Sequence, residues 1–355
     1  MRALLQNDWT SFVAALIAAI LTAIFRFAHL NSTLTFLFSA ISLAVLALVV
    51  GQATEQLGNF LGPGATGIIQ ASIASMPELF VSFFALQAGL VTVVQSALVG
   101  SILANSLLVM GLAFLLGGLK NGTQRFGSER PRSIVILMLL AVSALVVPTI
   151  TAAIHTPAEA HEETLSIASA LVLLIVYFAS IPFSLQSGGI GENIPAAEYD
   201  EERWSLTRVL FVLVAAGIGA AFVSDWFVEA LEPTMESLHI SQAFAGLVIV
   251  AIAGNAVENI VGIQLAIKNK ADYAISVVMN SSLQVALALT PILVILSYFF
   301  TPVALTLVLP PLLVVSLALT AVLSALIVYD GESNWLEGLA LVGLYIMIAI
   351  SFWWG

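Results

Sequence analysis

The stretch MPELFVSFFALQAGLVTVVQSALVGSILANSLLVMGLAFLLGG, residues 76–118, holds a single charged residue, Glu78. Its apolar runs are long and continuous, without the period-two alternation of a transmembrane barrel strand. At about 20 residues per helical crossing it accommodates two membrane helices meeting near Leu90. The whole chain reads alike. Of 355 residues, 60% are hydrophobic and 9% charged, with a mean hydropathy of +1.08, whereas a soluble domain averages about 25% charged. So few charges cannot cover a soluble exterior, which excludes a soluble enzyme and makes lipid the solvent of most of the surface. Cysteine is absent, which removes disulfides and thiolate metal sites. The net charge of −11 argues against nucleic acid as a partner. The expected fold class is therefore an all-α membrane protein.

Working outward, helices are predicted near 9–28, 31–51, 62–88, 91–117, 132–153, 164–184, 206–230, 241–267, 272–299, 302–328 and 335–354, making eleven transmembrane helices. Pro63 and Pro77 fall within the third, and Pro291, Pro310 and Pro311 within the ninth and tenth, where bends or breaks are expected. Pro233 is expected in a connection. If the loops alternate sides, Arg2, Lys120, Arg125, Arg130, Arg132, Arg203, Arg208, Lys268 and Lys270 share the face of the N-terminus and only Arg26 lies opposite. Basic residues in short loops mark the cytoplasmic face, so the N-terminus is expected inside and the C-terminus outside. An uncleaved extra helix (1–30) precedes a first five-helix repeat (31–185), an acidic cytoplasmic linker (186–205) and a second five-helix repeat (206–355). The linker residues Glu192, Glu198, Asp200, Glu201 and Glu202 read as a solvated charge run, with cytoplasmic Ca2+ sensing as the alternative.

The two halves carry matching segments. SMPEL at 75–79 aligns with NAVEN at 255–259, and GSILAN at 100–105 with NSSLQV at 280–285. The offset is 180 in both cases. An odd number of helices separates equivalent elements, so the copies cross the bilayer in opposite senses, the inverted repeat that many secondary transporters use around a midplane site.

Within these matched segments, Glu78 and Glu258 fall near the middle of the third and eighth helices, where an ionised side chain costs about 2.5–3.5 kcal/mol by insertion scales. A lone intramembrane glutamate also serves as a protonated link between helices. Two at equivalent positions, each flanked by polar residues, point instead to a site. Ser75, Glu78 and Ser82 share one helix face at i, i+3 and i+7, as do Asn255, Glu258 and Gly262. The neighbouring helices add Ser101 and Asn105 from the fourth, and Ser281 and Gln284 from the ninth. The candidate ligand set is thus Glu78, Glu258, Ser75, Asn255, Ser101, Asn105, Ser281 and Gln284. With oxygen donors only, it suits Ca2+ rather than zinc or copper, which favour His or Cys. His29, His155, His161 and His239 are expected in loops. No catalytic residues and no cofactor are expected, since neither a Ser-His-Asp arrangement nor an HExxH helix is present.

Residues 76–118, together with AGNAVENIVGIQLAIKNKADYAISVVMNSSLQVALALTPIL (253–293) and YDGESNWLEG (329–338), resemble the calcium/proton exchanger family of the calcium/cation antiporter superfamily. The resemblance implies eleven helices in two inverted five-helix repeats and Ca2+ export against H+ around Glu78 and Glu258. It also implies motion of helices one, two, six and seven relative to a core of three, four, eight and nine. The expected location is a prokaryotic cell membrane. The chain departs from the family pattern at Ser75-Met76-Pro77-Glu78, which is closer to the sodium/calcium branch, and at Asn259, where a His commonly follows the glutamate. The mechanism expected is competition between Ca2+ and protons for the two carboxylates. A Na+/Ca2+ exchanger and, less favoured, a passive cation channel are the alternatives.

Overall fold

The computed structural model describes residues 8–28, 31–58, 60, 75–127, 129–186 and 204–354. Among the described residues its regular structure is helical apart from two short strands. The helices are α1 (Asp8–Phe27), α2 (Ser32–Gly58), α3 (Met76–Gln87), α4 (Val91–Asn121), α5 (Glu129–Ala153), α6 (Glu162–Gln186), α7 (Leu206–Leu238), α8 (Gln242–Gly254), α9 (Ala256–Ile267), α10 (Ala271–Phe300), α11 (Pro311–Asp330) and α12 (Trp335–Ser351). Among the described residues, α2, α4, α5, α6, α7, α10 and α11 are each long and apolar enough to cross a membrane. The α8–α9 pair, bent by 66°, makes an eighth if taken as one span, and α1, α3 and α12 are shorter apolar helices. The protein is an integral membrane protein.

Contacts divide the chain into two compact units, residues 1–84 with 178–239 and residues 85–177 with 240–355. In the first unit α2 and α7 run antiparallel. Thr33 meets Ser237 at 3.3 Å, the rings of Phe36 and Phe227 stack at 4.6 Å, and Gln56 Oε1 accepts from the Trp204 N–H at 3.2 Å. Val209, Val212, Ala216, Ala220, Val223 and Phe227 form the buried stripe of α7, while Phe211, Val214, Ile218 and Phe222 are exposed on the other side. That exposed apolar stripe is a lipid face. Arg26, the exception to the charge rule, is ion-paired with Glu229.

In the second unit glycines set the helix spacing. A Cβ on Gly100 would sit 2.5 Å from the Leu247 Cα, and one on Gly246 would sit 3.0 Å from the Ala97 N, so α4 and α8 touch backbone to backbone. Small residues allow this approach in membrane helices. Around their ends, loops are tied by side chains. Gln124 Nε2 donates to Asn269 Oδ1 at 2.9 Å, and strands β1 (Gln124–Arg125) and β2 (Glu332–Ser333) pair antiparallel with an Arg125–Glu332 ion pair at 2.9 Å. At another set of ends, Ser241 Oγ donates to the Phe352 carbonyl and Thr149 Oγ1 to the Leu307 carbonyl.

Several sequence boundaries are corrected. The tenth predicted helix, 302–328, does not begin at 302: residues 301–310 are not helical and α11 starts at Pro311. The proline pair explains this, because Pro311 disfavours a helical Pro310 and itself suits a first turn. Pro310 and Pro311 therefore start a helix rather than bend one. Pro233 lies inside α7, which runs to Leu238 and stops at His239 in the left-handed region (φ 53°). The apolar stretch ends before the helix does, since Glu229, Glu232 and Glu236 occupy its last turns. Likewise α2 continues to Gly58 because Gln52 and Gln56 find partners in Ser11 and Trp204. Pro77 stands at the second position of α3 rather than mid-helix. Pro63, Arg2, Arg203, His29 and nearly all of the acidic linker lie outside the described residues.

Candidate cation site

The predicted break in the eighth helix falls at Asn255, whose backbone (φ −96°, ψ 19°) leaves helical geometry between α8 and α9. Freed from a regular turn, its side chain becomes the hub of a buried polar network. Asn255 Nδ2 donates to Ser101 Oγ at 2.9 Å and to the Ala251 carbonyl at 3.0 Å. Its Oδ1 accepts from Ser281 Oγ at 3.1 Å and from Asn105 Nδ2 at 3.4 Å, while Asn105 Nδ2 also donates to Ser281 Oγ at 3.0 Å. Four of the eight expected ligands are thus brought together from α4, the α8–α9 break and α10. Gln284 is half-buried and makes no hydrogen bond to this network.

Both glutamates occupy the third position of a helix, Glu78 in α3 and Glu258 in α9, rather than a helix centre. The unpaired N–H groups and partial positive charge of a helix start favour a carboxylate there. The local backbone is the same in each copy. The Leu79 N–H donates to the Ser75 carbonyl and the Asn259 N–H to the Asn255 carbonyl, both at 3.0 Å and 180 positions apart. Ser75 and Glu78 belong to the first unit; Glu258 and the Asn255 network belong to the second.

Two features had no signal in the sequence. Residues Ala104–Val109 of α4 and Val285–Leu289 of α10 form single turns of π-helix, a distortion that often marks functional sites. Ser106 and Ser282 also meet at 3.4 Å across these helices. Neither follows from hydropathy or spacing. Among the described residues no group of three His, Asp or Glu side chains gathers. The described histidines are exposed, His155 being bonded to Glu159 at 3.0 Å. The donor chemistry of the Asn255 network, three residues before Glu258 in the chain, is therefore hydroxyl and amide oxygen, which fits a hard cation.

The sodium/calcium exchanger protein family matches residues 31–186 and 208–354. The chain belongs to that family. Among family members, a Ca(2+)/H(+) antiporter of Aphanothece halophytica is 35% identical over 98% of this chain and 97% of its own length. The Ca(2+)/H(+) antiporter ChaA of Bacillus subtilis (strain 168) is 36% identical over 91% of this chain and 93% of its own. Among solved exchanger structures, native YfkE superposes with a TM-score of 0.81 at 32% identity, covering 97% of this chain and 99% of that one. The resemblance carried by residues 76–118 and 253–293 is borne out. Both relatives are named as antiporters, in line with a transport class rather than an enzyme class.

Proposed function

We propose that this chain is a secondary antiporter exchanging Ca2+ for H+ by alternating access, with Glu78 and Glu258 binding cation and protons in turn. The observation that carries the reading is the near full-length similarity to proteins named Ca2+/H+ antiporters, joined to an oxygen-only donor network at Asn255, three residues before Glu258 in the chain. Two ionised carboxylates neutralise Ca2+. When the ion leaves, protons replace it, and their titration belongs to the pair rather than to one residue. Either occupant lowers the cost of enclosing the centre, whereas an empty, doubly ionised site is costly to enclose. That difference couples the two fluxes.

The architecture proposed is eleven membrane helices, counting α8–α9 as one broken span and α1, α3 and α12 as short spans, in two inverted repeats at 31–185 and 206–355 after an extra first helix. The 180-residue correspondence of the Ser75–Leu79 and Asn255–Asn259 hydrogen bonds, and of the π turns in α4 and α10, supports the repeat. The grouping of α1, α2 and α7 in one unit is in line with that part of the moving set, while α3 through Phe84 falls with them and α6 through Tyr177 falls with the other unit. Loop partnerships support the alternation of sides. Gln124 with Asn269, Arg125 with Glu332 and Gln56 with Trp204 join only ends assigned to the N-terminal face. Arg26 with Glu229, Thr33 with Ser237 and Ser241 with Phe352 join only ends assigned to the other. With the excess of Lys and Arg on the first set, that face is cytoplasmic, in a prokaryotic cell membrane, with Ca2+, H+ and lipid as partners.

The Ser75-Met76-Pro77-Glu78 motif favours Na+ as the alternative counter-ion. Purified protein in sealed liposomes decides between them. Ca2+ uptake should follow an imposed pH gradient and ignore a Na+ gradient. Uptake that follows Na+ alone overturns proton coupling, and Ca2+ leakage without counter-transport would indicate a channel.

A further inference from the structure

Three amide oxygens in the second unit, those of Asn105, Gln124 and Asn259, are buried without a hydrogen-bond partner among the described residues, and the first and last lie close to Asn255 in the network or along the chain. Asn105 is 1% exposed and Asn259 9% exposed, and among the described residues nothing donates a hydrogen bond to the buried Oδ1 of either. An orphaned buried carbonyl of this kind forfeits the hydrogen bonds it made to water and gains none in return. Buried polar groups are almost always paired, so two such oxygens, one on a side chain bonded to Asn255 and one four residues beyond Asn255, call for an explanation.

Their placement supplies it. Asn255, Asn259 and Gly262 lie at i, i+4 and i+7 on one face of α9. At the start of that face Asn255 bonds Ser101, Asn105 and Ser281. At its far end a Cβ on Gly262 would meet Val278 at 2.6 Å and Val109 at 3.6 Å. The face therefore looks onto α4 and α10 along its length, and Asn259 sits midway, one residue beyond Glu258. Asn105 is fixed with its Nδ2 spent on Asn255 and Ser281, which turns its oxygen away from both.

We propose that Asn259 is a further cation ligand, not merely a helix-packing residue: its amide oxygen, with that of Asn105, supplies neutral coordination to the divalent cation held by Glu258. This rests on the antiport reading above and adds a residue to it. The chemistry is consistent, because Ca2+ takes 6–8 oxygens and accepts amide carbonyls among them. Neutral ligands complete the shell without adding negative charge that a proton would also seek. An oxygen kept unpaired until the ion arrives is stability given up for binding.

The test uses thermal melting of purified full-length protein over a Ca2+ series, with Asn259→Leu and Asn259→Asp. Removal of the oxygen in Asn259→Leu should leave the melting temperature without Ca2+ unchanged or higher, while the Ca2+ concentration needed for half of the stabilisation rises about tenfold. Asn259→Asp, which restores an oxygen, should bind Ca2+ no more weakly than wild type. If Asn259→Leu does not fold, Asn259→Ala removes the same oxygen and is read in the same way. A Leu or Ala variant with unchanged Ca2+ response, or with lower stability and normal Ca2+ response, overturns the proposal and makes Asn259 structural. Absence of Ca2+ stabilisation in wild type would instead remove the antiport reading itself, and the proposal with it.

Discussion

At the scale of residues, the chemistry separates charge from shape. Glu78→Gln and Glu258→Gln keep the side-chain volume and remove the ionisable oxygen, so each is expected to abolish Ca2+/H+ exchange in proteoliposomes while the protein still purifies and melts cooperatively. Near-normal uptake in either variant sinks the two-carboxylate mechanism. If both ions use the same carboxylates, acidifying the side from which Ca2+ binds should raise the half-saturating Ca2+ concentration steadily, and saturating Ca2+ should overcome the inhibition. Inhibition by acid that Ca2+ cannot relieve would place the proton elsewhere. The sequence made much of this legible. Ser101, Asn105, Asn255 and Ser281 were identifiable as a set because a repeat of 180 residues singles them out. Which of them touch was not legible, since it depends on Asn255 leaving helical geometry. Nor was the orphaned oxygen of Asn259, which is buried without a hydrogen-bond partner among the described residues.

At the scale of elements, hydropathy located each apolar stretch but not its turns. It ended α7 too early because three glutamates decorate a helix that continues, and it began α11 too early because an apolar segment need not be helical. It was also silent on contact distance, which glycine sets. Gly246→Val would push a side chain against the backbone of α4, a type of overpacking that costs about 1–3 kcal/mol. Its melting temperature should fall and its exchange rate with it. Gly217→Ala and Gly343→Ala, where a Cβ meets nothing within 4 Å, should be close to neutral. A Gly246→Val protein as stable as wild type would mean that α4 and α8 are not in backbone contact.

At the scale of the whole molecule, topology is testable because the chain has no cysteine of its own. Single cysteines at Lys120 and His161, both exposed, should react with an impermeant thiol reagent from opposite faces, the first from the cytoplasmic side. Reaction of both from one face would make the helix count between them wrong by an odd number. The segment 301–310 carries a different consequence. Its N–H groups at Leu305, Leu307 and Leu309 donate to Ser297, Ser166 and Thr149, and Gln95 donates to the carbonyls of Thr306 and Val308. Those partners come from α4, α5, α6 and α10, so this piece of backbone has no place to settle until four helices have been made and inserted. It acts as a clasp fastened late in biogenesis, on hydrogen-bond partners laid down as early as residue 95. Gln95→Leu should therefore lower the yield of assembled protein in the membrane, while each molecule that does assemble exchanges Ca2+ at the wild-type rate.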